Sequence, residues 1–117
     1  MNDSMYIFYN DFLKNITSKQ DKFLKFFYTS RSHVAVVLHV SIYSSKPKAS
    51  FENICNTIPR SLCSRSTIKK ILDEGVEENY FEKKKDKIDK RIQLYTLTNH
   101  VQKSMLLWNK TMREAFK

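Results

Sequence analysis

Apolar residues fall on helical spacing along most of this chain. Met5, Phe8, Tyr9, Phe12 and Ile16 recur at i, i+3 and i+4, behind a polar Asn2-Asp3-Ser4 start that suits a helix cap. Phe23, Leu24, Phe26, Phe27 and Tyr28 carry the apolar face onward. The pattern predicts helix over 4–29, continuous or kinked at Thr17-Ser18, where Ser18 and Asp21 stand at capping-box separation. Ser30-Arg31-Ser32 then caps a run from His33 to Tyr43 containing Val34, Val36, Val37, Leu38, Val40 and Ile42. This run reads as a buried helix, although its β-branched residues suit a strand equally well. Residues 44–48 read as a loop. Ser50 opens a short helix through Ile54, Cys55 and Ile58, and Pro59 ends it by pushing the preceding residue out of the helical region.

Ser64 starts the next helix, with Ile68, Ile71, Leu72 and Val76 as its inward stripe. Gly75 lies inside that helix at a cost of about 1 kcal/mol relative to Ala. Asn79 is placed to act as the left-handed stop. After it the period changes from 3.6 to 2. Two short strands around the polar tip Asp86-Lys87-Ile88-Asp89-Lys90 predict a hairpin over about 81–97, with Ile92, Leu94 and Thr96 on one face. Thr98 caps a last helix whose stripe is Val101, Met105, Trp108, Met112 and Phe116, widened by Leu106 and Leu107.

The order helix, helix, short helix, turn, helix, charged hairpin, helix is that of a winged helix-turn-helix, a mainly α (α+β) fold. In that fold the second helix of the turn, here about 64–78, enters the major groove of DNA. The wing, here about 81–97, lies on the neighbouring backbone or minor groove. The 117 residues suit one domain over 1–117, burying roughly two-thirds of its unfolded surface. Lys and Arg number 21 against 12 Asp and Glu, a net charge of +9, which favours an anionic partner and nucleic acid first.

Glycine use excludes more than charge does. One glycine stands where average usage gives roughly 8, so no dinucleotide fingerprint, P-loop or nucleophile elbow is possible. No apolar stretch approaches the ~20 residues of a membrane span, and no signal peptide is visible, so a cytoplasmic protein without membrane contact is expected. Cys55 and Cys63 lack metal-ligand spacing and fit a reducing compartment as buried thiols. His33, His39 and His100 also lack such spacing. His33 and His39 suit packing better than sensing a small anion. The carboxylates Asp86 and Asp89 sit among lysines on a turn, where both stay ionised. No enzyme activity, metal or cofactor is expected.

Between Ser64 and Thr98 a family resemblance becomes specific. Ser64-Arg65-Ser66-Thr67-Ile68 resembles the start of a MarR-family recognition helix. Asp86-Lys87-Ile88-Asp89-Lys90-Arg91, followed by Leu94 and Leu97-Thr98, resembles that family's wing: an Asp, two variable residues, Asp-x-Arg, a Leu three residues on and a closing Leu-Thr. Lys87 stands where Pro is common, and the chain after Thr98 is short for the family. The resemblance implies a sequence-specific transcriptional regulator of repressor type on double-stranded DNA, with a possible small-molecule effector. It also implies that Arg91 reaches the minor groove while Asp89 holds it. The family dimerises through its terminal helices. Here 4–29 and 98–117 carry more apolar surface than the 31–97 core can cover, so a homodimer is expected.

Segment 59–72 carries Arg60, Arg65, Lys69 and Lys70 with no acid, and acids begin at Asp73. A helix whose start alone meets DNA needs that division. Arg65, Lys69 and Lys70 are therefore candidates for base-edge or phosphate contact, and Ser64, Ser66 and Thr67 for phosphate. In the hairpin Lys84, Lys85, Lys87, Lys90 and Arg91, with Lys83, oppose Glu82, Asp86 and Asp89. The competing reading is an interaction module of the same fold that binds protein or RNA.

Overall fold

The computed structural model describes residues 3–17, 21–43 and 49–116. They form α1 (Asp3–Thr17), α2 (Lys22–Phe27), α3 (Arg31–Tyr43), α4 (Phe51–Thr57), α5 (Arg65–Glu77), β1 (Phe81–Lys85), β2 (Gln93–Leu97) and α6 (Asn99–Ala115). The architecture is mainly helical, with one antiparallel two-stranded hairpin between α5 and α6. No described helix is long and apolar enough to cross a membrane. The expected loop at 44–48 lies outside the described residues.

Of the two forms expected over 4–29, continuous or kinked at Thr17-Ser18, the chain takes the interrupted one: α1 ends at Thr17 and α2 begins at Lys22. Asp21 caps α2, its carboxylate accepting from the Leu24 N–H at 3.0 Å. An amide engaged by a side chain three residues back is drawn from the i−4 ladder that a continuous helix requires. Ser18, the other half of the expected capping box, lies outside the described residues. On α1 only part of the apolar stripe is covered. Phe8, Phe12 and Ile16 are half-buried, whereas Met5 and Tyr9 are exposed; α1 packs chiefly on α2 and α6.

α2 and α3 fill the centre. Phe23, Phe27, Val36, Val37 and Val40 join Ile54, Ile68, Leu72, Phe81 and Val101 in one contiguous core. α3 is a helix rather than a strand and begins at Arg31, with the Ser30 hydroxyl accepting from the His33 N–H at 3.2 Å. Ile42 at its end is exposed, against its place in the apolar run. Ser50 caps α4 through the Asn53 N–H, and Ser64 caps α5 through the Thr67 N–H.

The end of α5 sets the hairpin. Asn79 adopts φ +64°, the left-handed stop. The Tyr80 N–H returns to the Gly75 carbonyl at 2.7 Å and the Asn79 N–H to Val76 at 3.1 Å, the paired bonds of a Schellman motif. That turn delivers Phe81 onto Gly75, where a β-carbon would overlap the Phe81 ring. Phe81 then pairs with Leu97 and Lys83 with Tyr95, so Phe81, Tyr95 and Leu97 share the inner face. Leu94 and Thr96, expected on one face with Ile92, lie on the face opposite Tyr95 and Leu97, and Ile92 is exposed. Beside β2, the Tyr95 N–H donates to the Ala49 carbonyl at 2.9 Å, and Ser50 forms an isolated bridge with Leu94.

Thr98 occupies the N-cap of α6 but makes no capping bond with its side chain. Its hydroxyl instead reaches the Asn79 carbonyl at 2.9 Å, and its N–H donates to the Tyr80 carbonyl at 3.0 Å. Val101 and Met105 are buried, and the Trp108 indole N–H donates to the Tyr28 hydroxyl at 2.5 Å. Phe116 is exposed despite its place in the stripe, as are Leu106 and Leu107.

Two outcomes follow from this packing. Gly75→Ala should destabilise, because overpacking against the fully buried Phe81 costs about 1–3 kcal/mol and outweighs the ~1 kcal/mol helix gain. Urea unfolding measures the sign. His39 is buried with no partner for Nε2 among the described residues, and burial holds its pKa below 6.5. Below pH 6.5 the unfolded chain therefore takes the proton more readily, so stability is full above that pH and falls on acidification. His33 adds the same sign, opposed by Glu74 at 4.0 Å. Unfolding curves across this range should flatten in His39→Leu.

Candidate nucleic-acid interface

α5 presents its basic half at its N-terminal end. The Ser64 hydroxyl bonds Thr67 Oγ1 at 2.9 Å and shares a 3.1 Å bond with Ser66 Oγ, so three hydroxyls gather around the cap. Arg65 leaves this cluster sideways. Its Nη2 donates to Glu52 Oε1 at 2.5 Å and Nη1 to Oε2 at 3.4 Å, and its guanidinium carbon lies 5.1 Å from the Phe51 ring centroid. The bidentate bond to Arg65 holds the Glu52 carboxyl below its usual range and raises Arg65 further. One turn on, Lys69 pairs with Asp73 at 3.1 Å, and this pairing raises its pKa. Lys70 is exposed and forms no ion pair among the described residues.

The hairpin tip is tied internally. Asp89 accepts from Arg91 Nε and Nη2, each at 3.0 Å, and from the Arg91 N–H at 3.1 Å. Asp86 accepts from the Asp89 N–H at 3.1 Å, while the Asp86 N–H donates to the Ile92 carbonyl at 2.8 Å. The hydrogen bonds from Arg91 lower the Asp89 pKa and raise that of Arg91. The expected grip of Asp89 on Arg91 is therefore present. Lys84 lies 3.7 Å from Glu82, and Lys85, Lys87 and Lys90 are exposed along the outer strand and tip.

Helix and hairpin meet in a cleft of about 580 Å³. Lys69 from α5, Lys83 and Arg91 from the hairpin, and Glu52 from α4 line it, over a wall that includes Phe51 and Tyr95. A second groove of about 470 Å³ runs along α5 from Ser66 and Lys70 to Asp73, Glu74 and Glu77, so its charge changes sign along its length. Of the expected residues, Lys69 and Arg91 converge in the first groove and Ser66, Lys69 and Lys70 in the second. Ser64, Arg65, Thr67, Lys84, Lys85, Lys87, Asp89 and Lys90 lie outside both, Arg65 and Asp89 reaching the first only through their partners Glu52 and Arg91. Comparison of the chain with family models, curated proteins and solved structures yields no match.

Residue-by-residue reading missed Glu52, Phe51 and Tyr95. The available signal was Glu52 as the one acid of residues 51–72. Both thiols are buried and free, and burial pushes the Cys55 pKa up. No cluster of three potential metal ligands occurs among the described residues. His33 shares a 2.7 Å bond with Ser30 Oγ, and neither His33 nor His39 lines either groove.

Proposed function

We propose that this chain is a winged helix-turn-helix regulator of the MarR type that binds double-stranded DNA in a sequence-dependent way. α4 and α5 act as the helix-turn-helix, α5 enters the major groove, and the hairpin serves as the wing. The observation that carries this reading is the convergence of Lys69 on α5 with Lys83 and Arg91 on the hairpin along one cleft. An Asp-locked arginine adds a preorganised guanidinium, which suits a narrow groove because it sheds water more readily than an ammonium. The bridge from Ser50 to β2 adds the third short strip that ties α4 to the wing.

The protein acts as a homodimer in this reading. α1 and α6 pack together, yet Tyr6 and Tyr9 on one and Leu106 and Leu107 on the other remain exposed. Isologous pairing through these helices covers that surface and sets two copies of α5 about 34 Å apart, one turn of DNA. Sedimentation at tens of micromolar should give a dimer; a monomer would contradict the pairing.

Selection of bound sequences from random duplex DNA, then titration at several salt concentrations, tests the DNA reading. Lys84→Ala, Lys85→Ala and Lys87→Ala should weaken preferred and scrambled sites alike, each making the salt slope shallower by about one unit per phosphate no longer neutralised. Arg65→Ala and Lys70→Ala should cost about 1–3 kcal/mol on the preferred site and much less on the scrambled one. Arg91→Ala should hurt most where the flanks are A·T-rich. Equal losses on both duplexes for Arg65 and Lys70 would reduce α5 to a phosphate clamp. Indifference to every substitution would favour the protein- or RNA-binding module.

A further inference from the structure

Residues 51–72 hold four cations, Arg60, Arg65, Lys69 and Lys70, and a single acid, Glu52. That acid stands in the first turn of α4 at the rim of the cleft lined by Lys69, Lys83 and Arg91. Burial does not force it into a pair, for its side chain is 66% exposed. Both its oxygens nevertheless take Arg65, and the neighbouring Phe51 ring backs the same guanidinium. Two consecutive residues of α4 thus grip an arginine of α5 that stands 13 positions from Glu52. Lys70 is held by nothing comparable among the described residues.

A loose surface arginine on a DNA-facing helix is drawn first to phosphate, which every sequence offers equally. A carboxylate at hydrogen-bond distance cancels much of the charge that a phosphate would feel. Its bidentate grip also fixes the plane of the guanidinium. Of the five donors on that group, two are taken by Glu52, which leaves three for a further partner. Charge attraction is reduced while directional hydrogen bonding is preserved.

Resting on the DNA-binding reading above, we propose that Glu52 is a specificity-determining positioning residue, which withholds Arg65 from phosphates and aims its remaining donors at a base edge. Glu52→Gln tests this, since glutamine keeps the length of the side chain and removes its charge. The wild type and variant are titrated against the selected duplex and its scrambled counterpart at several salt concentrations. Thermal unfolding confirms that each is folded. Affinity for the scrambled duplex should rise about threefold or more at low salt, with a salt slope steeper by about 0.9 as Arg65 neutralises one more phosphate. The preferred-to-scrambled ratio should fall about fivefold or more, the low end of what one bidentate base contact supplies. In an Arg65→Ala background the same exchange should leave that ratio within about twofold, because Glu52 acts through Arg65.

An unchanged ratio in Glu52→Gln, with affinities raised together or not at all, would overturn the proposal. So would a fall in the ratio that persists without Arg65, because Glu52 would then be acting on DNA directly. A wild type that binds neither duplex would remove the DNA-binding reading and this inference with it. A wild type that discriminates while Glu52→Gln discriminates equally well would overturn the inference alone.

Discussion

The junction between α5 and the hairpin is the constraint on which the arrangement depends. Asn79 reverses the chain in the left-handed region, and the two bonds of its turn close the last carbonyls of the helix. Thr98, arriving from the far strand, reaches the Asn79 and Tyr80 carbonyls with its hydroxyl. Both ends of the hairpin are thereby fastened to the end of one helix. Phe81 seats itself in the space left by Gly75 and fixes which face of the strands turns inward. The direction of the hairpin relative to α5, and with it the cleft, follows from these few contacts.

α1, α2 and α6 pack together around an aromatic seam. Tyr28 receives the indole N–H of Trp108 from 80 residues away and packs edge-on against Phe12 at 5.0 Å. Phe27 meets the Trp108 ring at 5.3 Å. Large rings tolerate offset and edge-on approach, so helices of unequal length lock together without a regular heptad. The seam covers one side of α1 and α6 and leaves the other in solvent. Exposed apolar side chains thus gather on α1 and α6, and exposed lysines on α5 and the hairpin.

What could be read from the chain alone depended on whether the signal was local. α5 was legible because its stripe of Ile68, Ile71 and Leu72, its Ser64 cap and its Asn79 stop all lie within sixteen residues. The basic start of α5 and the charged tip were legible as segregated charge. The phase of β2 was not, because apolar residues occupy both parities from Ile92 to Leu97. Only pairing with Phe81 decides between them. The break between α1 and α2 was legible only as an alternative, because apolar residues on both sides keep helical spacing while the polar run to Asp21 offers a cap; α1 ends at Thr17, and Asp21 decides it with one side-chain bond. Gly75 read as a penalty, since its compensation comes from a residue beyond the helix. Glu52 and Arg65 are separated by a turn, and the lone acid among the cations of 51–72 does not by itself say which of them it pairs with.

The strip at Ala49 and Ser50 joins parts that are distant in sequence. It bonds to β2 through Tyr95 and leads within one residue into α4. The hairpin is therefore bonded to α4 through this strip and to the end of α5 through Thr98. A cleft held in this way behaves as a fixed gauge rather than a hinged jaw. A partner that enters it meets a set spacing, and adjustment falls to the ends of long side chains such as Lys83 and Lys69.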